Sequence, residues 1–115
     1  MADTVAAPPP KVTILKGAEP DLSAATYKIY DESHTMGNAL RWMLMKNPKV
    51  EFCGYSVPHP SENHIHIRIQ MYDNLSSLEA LLAALTSLDN VCETIDAAYK
   101  SSLSEGKFEK WDEKS

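Results

Sequence analysis

Cysteine is scarce in this chain: Cys53 and Cys92 are the only two among 115 residues. They form no CxxC pair, so neither a small-protein disulfide framework nor a clustered thiolate site is encoded. Both are read as small core hydrophobes, and a reducing intracellular compartment is the expectation. Positive charge is short as well. Eleven Lys and Arg stand against sixteen Asp and Glu, a net charge of −5, whereas a phosphate-binding surface needs a cationic surplus. Direct nucleic-acid binding is therefore not expected. No uncharged stretch approaches the roughly 18–20 apolar residues of a membrane span, and no secretory leader pattern opens the sequence. The four glycines make no GxGxxG or P-loop spacing, so a nucleotide site has no support. Cys53 lies in an apolar run without a neighbouring base, which leaves nucleophilic catalysis without its parts. No enzyme signature is present, and no catalytic, cofactor-binding or metal-ligating residue is expected.

What is present is one domain's worth of chain. Residues 1–20 are read as a Pro/Ala-rich N-terminal tail. It is expected to be disordered because residues 1–10, with three consecutive prolines, bury too little apolar area to offset the ordering entropy. Residues 12–15 are nonetheless a short apolar run. The folded domain is placed at 21–102 and a charged C-terminal tail at 103–115. In that tail Phe108 and Trp111 stand three apart, a spacing that suits a last helical turn or nothing.

Inside the domain, Ala25, Tyr27 and Ile29 alternate with polar neighbours, the pattern of a half-buried strand. A helix follows over about 35–46, with Met36, Leu40, Met43 and Leu44 on one face. Ser33 or Thr35 stands where an N-cap belongs, and Asn47-Pro48 stops the helix. Residues 50–57 read as a second strand, in which Gly54 marks a bulge or a close backbone approach. The cleanest strand is 64–72, with Ile65, Ile67, Ile69 and Met71 on one side and His64, His66, Arg68, Gln70 and Tyr72 on the other. The fold class is α+β, a two-layer domain in which a small antiparallel sheet packs with a short helix and a long C-terminal helix.

That last helix, about 77–100, lacks Gly and Pro and is rich in Leu and Ala. Leu78, Leu81, Leu85, Leu88, Cys92, Ile95 and Tyr99 are spaced 3, 4, 3, 4, 3, 4, a heptad seam that Leu82, Val91 and Ala98 widen. About 22 residues make a rod of roughly 33 Å, too long for one small sheet to cover. Either this is a core helix on its own sheet, or part of the face packs on a helix of another subunit. The second reading accounts better for the length and width of the stripe. His34, His59, His64 and His66, with Glu62, form the other cluster of interest. Their spacing matches no metal motif, and polar residues on a strand face commonly just meet water.

Two stretches go beyond generic pattern: residues 34–41, His-Thr-Met-Gly-Asn-Ala-Leu-Arg, and residues 47–62, from Asn47-Pro48 through Gly54-Tyr55 and Pro58-His59-Pro60, followed by Ile67-Arg68-Ile69-Gln70. Together, over about 26–100, they resemble the small alpha-like subunits of eukaryotic and archaeal RNA polymerases, counterparts of the bacterial alpha N-terminal domain. Met45 to Pro48 and Glu51 to Tyr55 are most similar to the version shared by RNA polymerases I and III. Met36 departs mildly from the usual Leu or Ile.

The resemblance implies the alpha-like dimerisation fold and a heterodimer with a larger alpha-like subunit, the platform on which the two largest subunits assemble. It implies a heterodimer interface at Leu40, Met43, Leu44, Leu78, Leu81, Leu82, Leu85, Leu88, Cys92, Ile95 and Tyr99. It implies large-subunit contacts, the second-largest subunit above all, near His34, Thr35, Gly37, Asn38 and Arg41. A non-catalytic role, transcription of ribosomal, transfer and 5S RNA genes, and a place in the nucleus, including the nucleolus, follow from it. The equivalent subunit of polymerase II or of an archaeal polymerase is the near alternative. A pterin dehydratase-like homodimeric enzyme is the alternative of another class, although those carry an adjacent His-His pair and here Ile65 separates His64 from His66. A generic homodimeric adaptor is the third.

Overall fold

Period-2 alternation builds the sheet. In the computed structural model, which describes residues 10–111, the elements are β1 (Val12–Ile14), β2 (Ala24–Tyr30), α1 (His34–Met45), β3 (Val50–Ser56), β4 (His64–Met71) and α2 (Ser77–Glu105). The four strands form one sheet in the order β1-β2-β4-β3, every neighbouring pair antiparallel. Strand β4 lies between β2 and β3, and its register sets Ile65, Ile67 and Ile69 opposite Ile29, Tyr27 and Ala25. All six are buried. Both helices lie on this face: Leu40 and Leu44 of α1 and Ala80, Leu81 and Ala84 of α2 complete the core with Val50, Cys53 and Met71. The two-layer α+β class is the one the sequence implies.

Several boundaries differ from the sequence reading. The fold begins inside the segment assigned to a disordered tail, because β1 pairs with β2 and seats Val12 against the core. A three-residue strand has no periodicity to read, and a distant partner supplies its hydrogen bonds. Residues 1–9 and 112–115 lie outside the described residues. Helix α2 continues to Glu105, past the expected end. Gly106, at φ 65°, ends it and donates its N–H to the Ser102 carbonyl, the left-handed C-terminal stop that glycine favours. Phe108 then lies beside Tyr99 and Leu103 without forming a helical turn, and Trp111 is exposed. Ser33 is the N-cap of α1 but makes no side-chain capping bond. The bulge in β3 falls between Val50 and Phe52 rather than at Gly54. Gly54 is the close approach instead, since a Cβ there would meet the Phe52 ring at 3.0 Å.

The first turn of α2 is fastened by a short polar chain. The buried Tyr27 hydroxyl and Ser77 Oγ lie 2.7 Å apart, and the Leu22 carbonyl accepts from both the hydroxyl and the N–H of Ser77. Leu22 sits at φ 61°, a left-handed conformation that costs a non-glycine residue about 1–2 kcal/mol, and these bonds hold it there. The Ser76 hydroxyl accepts from the Glu79 N–H at 3.4 Å and caps the helix. Replacing Ser77 with Ala leaves the Tyr27 hydroxyl buried without its partner, at a cost of about 1–3 kcal/mol. In a domain of this size each kcal/mol lowers Tm by roughly 4–8 °C, and a thermal melt of Ser77→Ala against wild type reads the effect. An unchanged Tm would show that this chain of hydrogen bonds does not fasten the helix.

Candidate dimerisation interface

Helix α2 has 29 residues, or about 43 Å of rod, and only its first half has a sheet beneath it. Ala80, Leu81 and Ala84 are buried, Leu78 and Leu88 are partly buried, and every residue from Asp89 to Glu105 is exposed. The unsupported part runs for roughly 25 Å. Its exposed side chains are not uniformly polar. Leu82 is 55% exposed, Ile95 64% and Tyr99 63%, and Leu85, Val91 and Leu103 are open as well. Fully burying each such side chain is worth about 1.5–3 kcal/mol, so the free chain forgoes a large stabilisation here.

The expected interface residues divide into three groups. Leu40, Leu44 and Leu81 lie sealed in the chain's own core. Met43, Leu78 and Leu88 are at the edge, and Leu82, Leu85, Cys92, Ile95 and Tyr99 remain on the open stripe. Cys92, expected in the core, is exposed, because the sheet beneath α2 has already ended; Cys53 is buried as expected. Val91 and Leu103 belong to the same open surface and lie off the strict heptad positions. Beside the supported half, Ala80, Ala83 and Ala84 floor a hollow of about 240 Å³ against Met43, Asn47 and Pro48 at the end of α1. Small residues on one helix and Pro48 behind the other leave room for side chains of a third helix.

The residues of the 34–41 block are held by local contacts. His34 Nδ1 lies 3.1 Å from the Tyr55 hydroxyl, and the two rings meet edge to face. Gly37 is buried beneath that tyrosine, where a Cβ would come within 2.5 Å of the ring. Arg41 donates to Asn38 Oδ1 at 2.9 Å, leaving part of its guanidinium fork open. Thr35 is exposed. Burial pushes the Cys53 thiol up to about 11, against a smaller opposing pull from Arg41. His66 is held below the usual histidine range by burial first, then by His64 and Lys28. Among the described residues no three His, Cys, Asp or Glu side chains gather as a metal-binding group. His64 instead pairs with Glu62 at 3.5 Å.

A stripe of this length on a helix that outruns its sheet is the mark of a pairing module, and comparison with known families agrees. Residues 24–98 match the family described as the RNA polymerase Rpb3/Rpb11 dimerisation domain. The chain belongs to this family. It is 46% identical over 83 residues to the DNA-directed RNA polymerases I and III subunit RPAC2 of Saccharomyces cerevisiae, covering 72% of this chain and 58% of that one. With the RPAC2 subunit of Schizosaccharomyces pombe it shares 42% identity over 93 residues, 81% of this chain and 74% of the relative. The Caenorhabditis elegans protein named as a probable DNA-directed RNA polymerase II subunit RPB11 is 40% identical over 92 residues, 76% and 75% of the two chains. The chain thus spans somewhat over half of the budding-yeast relative's length. Among solved structures, DNA-directed RNA polymerase subunit L of Thermoplasma acidophilum superposes with a TM-score of 0.69 at 15% identity, covering 86% of this chain and 96% of the other. That likeness fixes the fold of this Rpb3/Rpb11-type domain.

Proposed function

We propose that this chain is the small alpha-like subunit of RNA polymerases I and III, a non-catalytic partner that pairs through α2 with the larger alpha-like subunit. The pair is the platform on which the two largest subunits assemble, in the nucleus and the nucleolus, for ribosomal, transfer and 5S RNA synthesis. The observation that carries this reading is the exposed apolar seam from Leu82 to Tyr99 on an unsupported helix, in a chain whose relatives named for polymerases I and III reach 46% identity. An obligate interface buries roughly 2,000 Å² or more of core-like surface, and that seam with the alanine-floored hollow beside it supplies the apolar part. The open edge of the Arg41 fork is the candidate contact for the second-largest subunit, since guanidinium suits carboxylates and carbonyls at interfaces.

Thiol labelling tests the pairing. In the free chain near pH 8, Cys92 reacts with an aromatic disulfide reagent as an exposed thiol does. Cys53, buried and with its thiol pushed up to about 11 by that burial, reacts far more slowly. In the co-purified heterodimer Cys92 becomes protected too. Cys92 labelling that stays as fast in the complex as in the free chain would remove the seam from the interface.

A further inference from the structure

Among the described residues the opposite face of the sheet is also without a cover. Core-facing positions on β2 and β4 alternate with Thr26, Lys28, Tyr30, His66, Arg68 and Gln70, and both helices lie on the other side. Although the chain carries a net −5, this face is cationic. Lys28 stands directly across from His66, two residues along the strand from Arg68. None of the outward ladder positions is Asp or Glu, and the one carboxylate in any strand, Glu51, sits in the β3 bulge outside the paired register.

Arg68 is held flat by neutral partners, Nε donating to Gln70 Oε1 and Nη1 to Thr26 Oγ1, each at 3.3 Å. Lys28 Nζ lies 4.7 Å from the Tyr30 ring centroid. Among the described residues neither cation has a carboxylate partner. Beside them is an open hollow of about 340 Å³, bordered by Phe52, Gly54, His66 and Arg68. A guanidinium whose Nη2 is uncommitted, an ammonium and a hollow walled by the Phe52 ring on one face are complementary to a carboxylate next to an apolar side chain.

We propose that this outer face, centred on Arg68 and Lys28, is a docking surface for an acidic protein segment that presents Asp or Glu carboxylates beside an aromatic or aliphatic side chain. Protein is favoured over nucleic acid because, among the described residues, Lys28 and Arg68 are the only permanent cations at outward positions of the paired strands. Neutralising two phosphates supplies little of the counterion release on which nucleic-acid affinity depends. The surface lies on the layer away from the α2 seam, so it stands whether or not the pairing assigned above is correct.

The test is a fluorescence-anisotropy titration of the co-purified protein, at low salt, against a labelled peptide of alternating Asp and Glu around one Phe. The wild type binds this peptide and does not bind the counterpart with Lys at every acidic position. Arg68→Glu and Lys28→Glu, both substitutions on the exposed face, each weaken binding by about tenfold or more, and Arg68→Lys keeps part of it. Retained co-purification and an unchanged circular dichroism spectrum show that the variants are folded. No binding of the acidic peptide, or equal binding by both charge-reversed variants, overturns the proposal. A single-stranded RNA oligonucleotide bound more tightly than the peptide, with the same dependence on Arg68, overturns the protein assignment.

Discussion

Leu85→Asp is expected to leave the chain folded and to abolish the proposed pairing with the larger alpha-like subunit. Leu85 lies in the middle of the seam, one step beyond the buried Leu81, and is 37% exposed in the free chain. Before assembly an aspartate there reaches water, so the chain's own core loses little. Within an assembled seam the carboxylate is desolvated opposite apolar side chains without a counter-charge. An unpaired buried charge costs about 3–5 kcal/mol, which weakens the complex roughly 100- to 1,000-fold or more. Glu79→Gln, an exposed substitution on the first turn of the same helix, should barely change pairing. Sedimentation of each variant with the partner subunit compares them. Equal complex formation by the two would place the seam elsewhere on α2.

The second large effect is at Gly37, and its sign separates two accounts. By helix propensity alone, Gly37→Ala should stabilise α1 by about 1 kcal/mol. The tertiary contact demands the reverse. The new Cβ would sit 2.5 and 2.7 Å from Cδ2 and Cε2 of Tyr55, so the ring must swing away from His34 or α1 must lift from β3. Overpacking of this kind typically costs 1–3 kcal/mol, so a net loss of about 1–3 kcal/mol is expected. Chemical denaturation measures it, and a double-mutant cycle with Tyr55→Ala should show a cost well below the sum of the single variants. A Gly37→Ala variant more stable than wild type would mean that the ring yields freely.

Most of the fold is legible where one element repeats its own pattern. The alternation of Ile65, Ile67, Ile69 and Met71 gives β4 its core face, the i, i+4 pairs of α1 give Leu40 and Leu44 theirs, and the heptads of α2 give its apolar stripe. Periodicity identifies which face is apolar and does not say what covers it. That is why Leu81 and Cys92, eleven residues apart on one seam, have opposite fates: the first lies over the sheet and the second beyond its edge. It is also why Leu40 and Leu44, on the apolar face of α1, end in the chain's own core. The pairing of β1 with β2, the Gly37–Tyr55 approach and the Tyr27–Ser77 bond each join residues far apart in sequence. The cationic sheet face was visible only as the polar half of an alternating strand, because the register between β2 and β4 is what sets Lys28 beside His66 and near Arg68.

The unsupported half of α2 has a further consequence. Most helical stability in proteins comes from tertiary packing of an apolar face, and the turns of α2 from Asp89 to Glu105 are exposed. Its outer turns therefore gain much of their stability from whatever lies against them. Pairing is then coupled to helix ordering, and mass action makes the folded lifetime of the chain depend on the concentration of its partner. On the proposed pairing, a copy made in excess leaves the apolar stripe of α2 in view of chaperones and proteases, while a paired copy hides it. The length of one helix, on that same pairing, ties the cellular supply of the subunit to that of its mate.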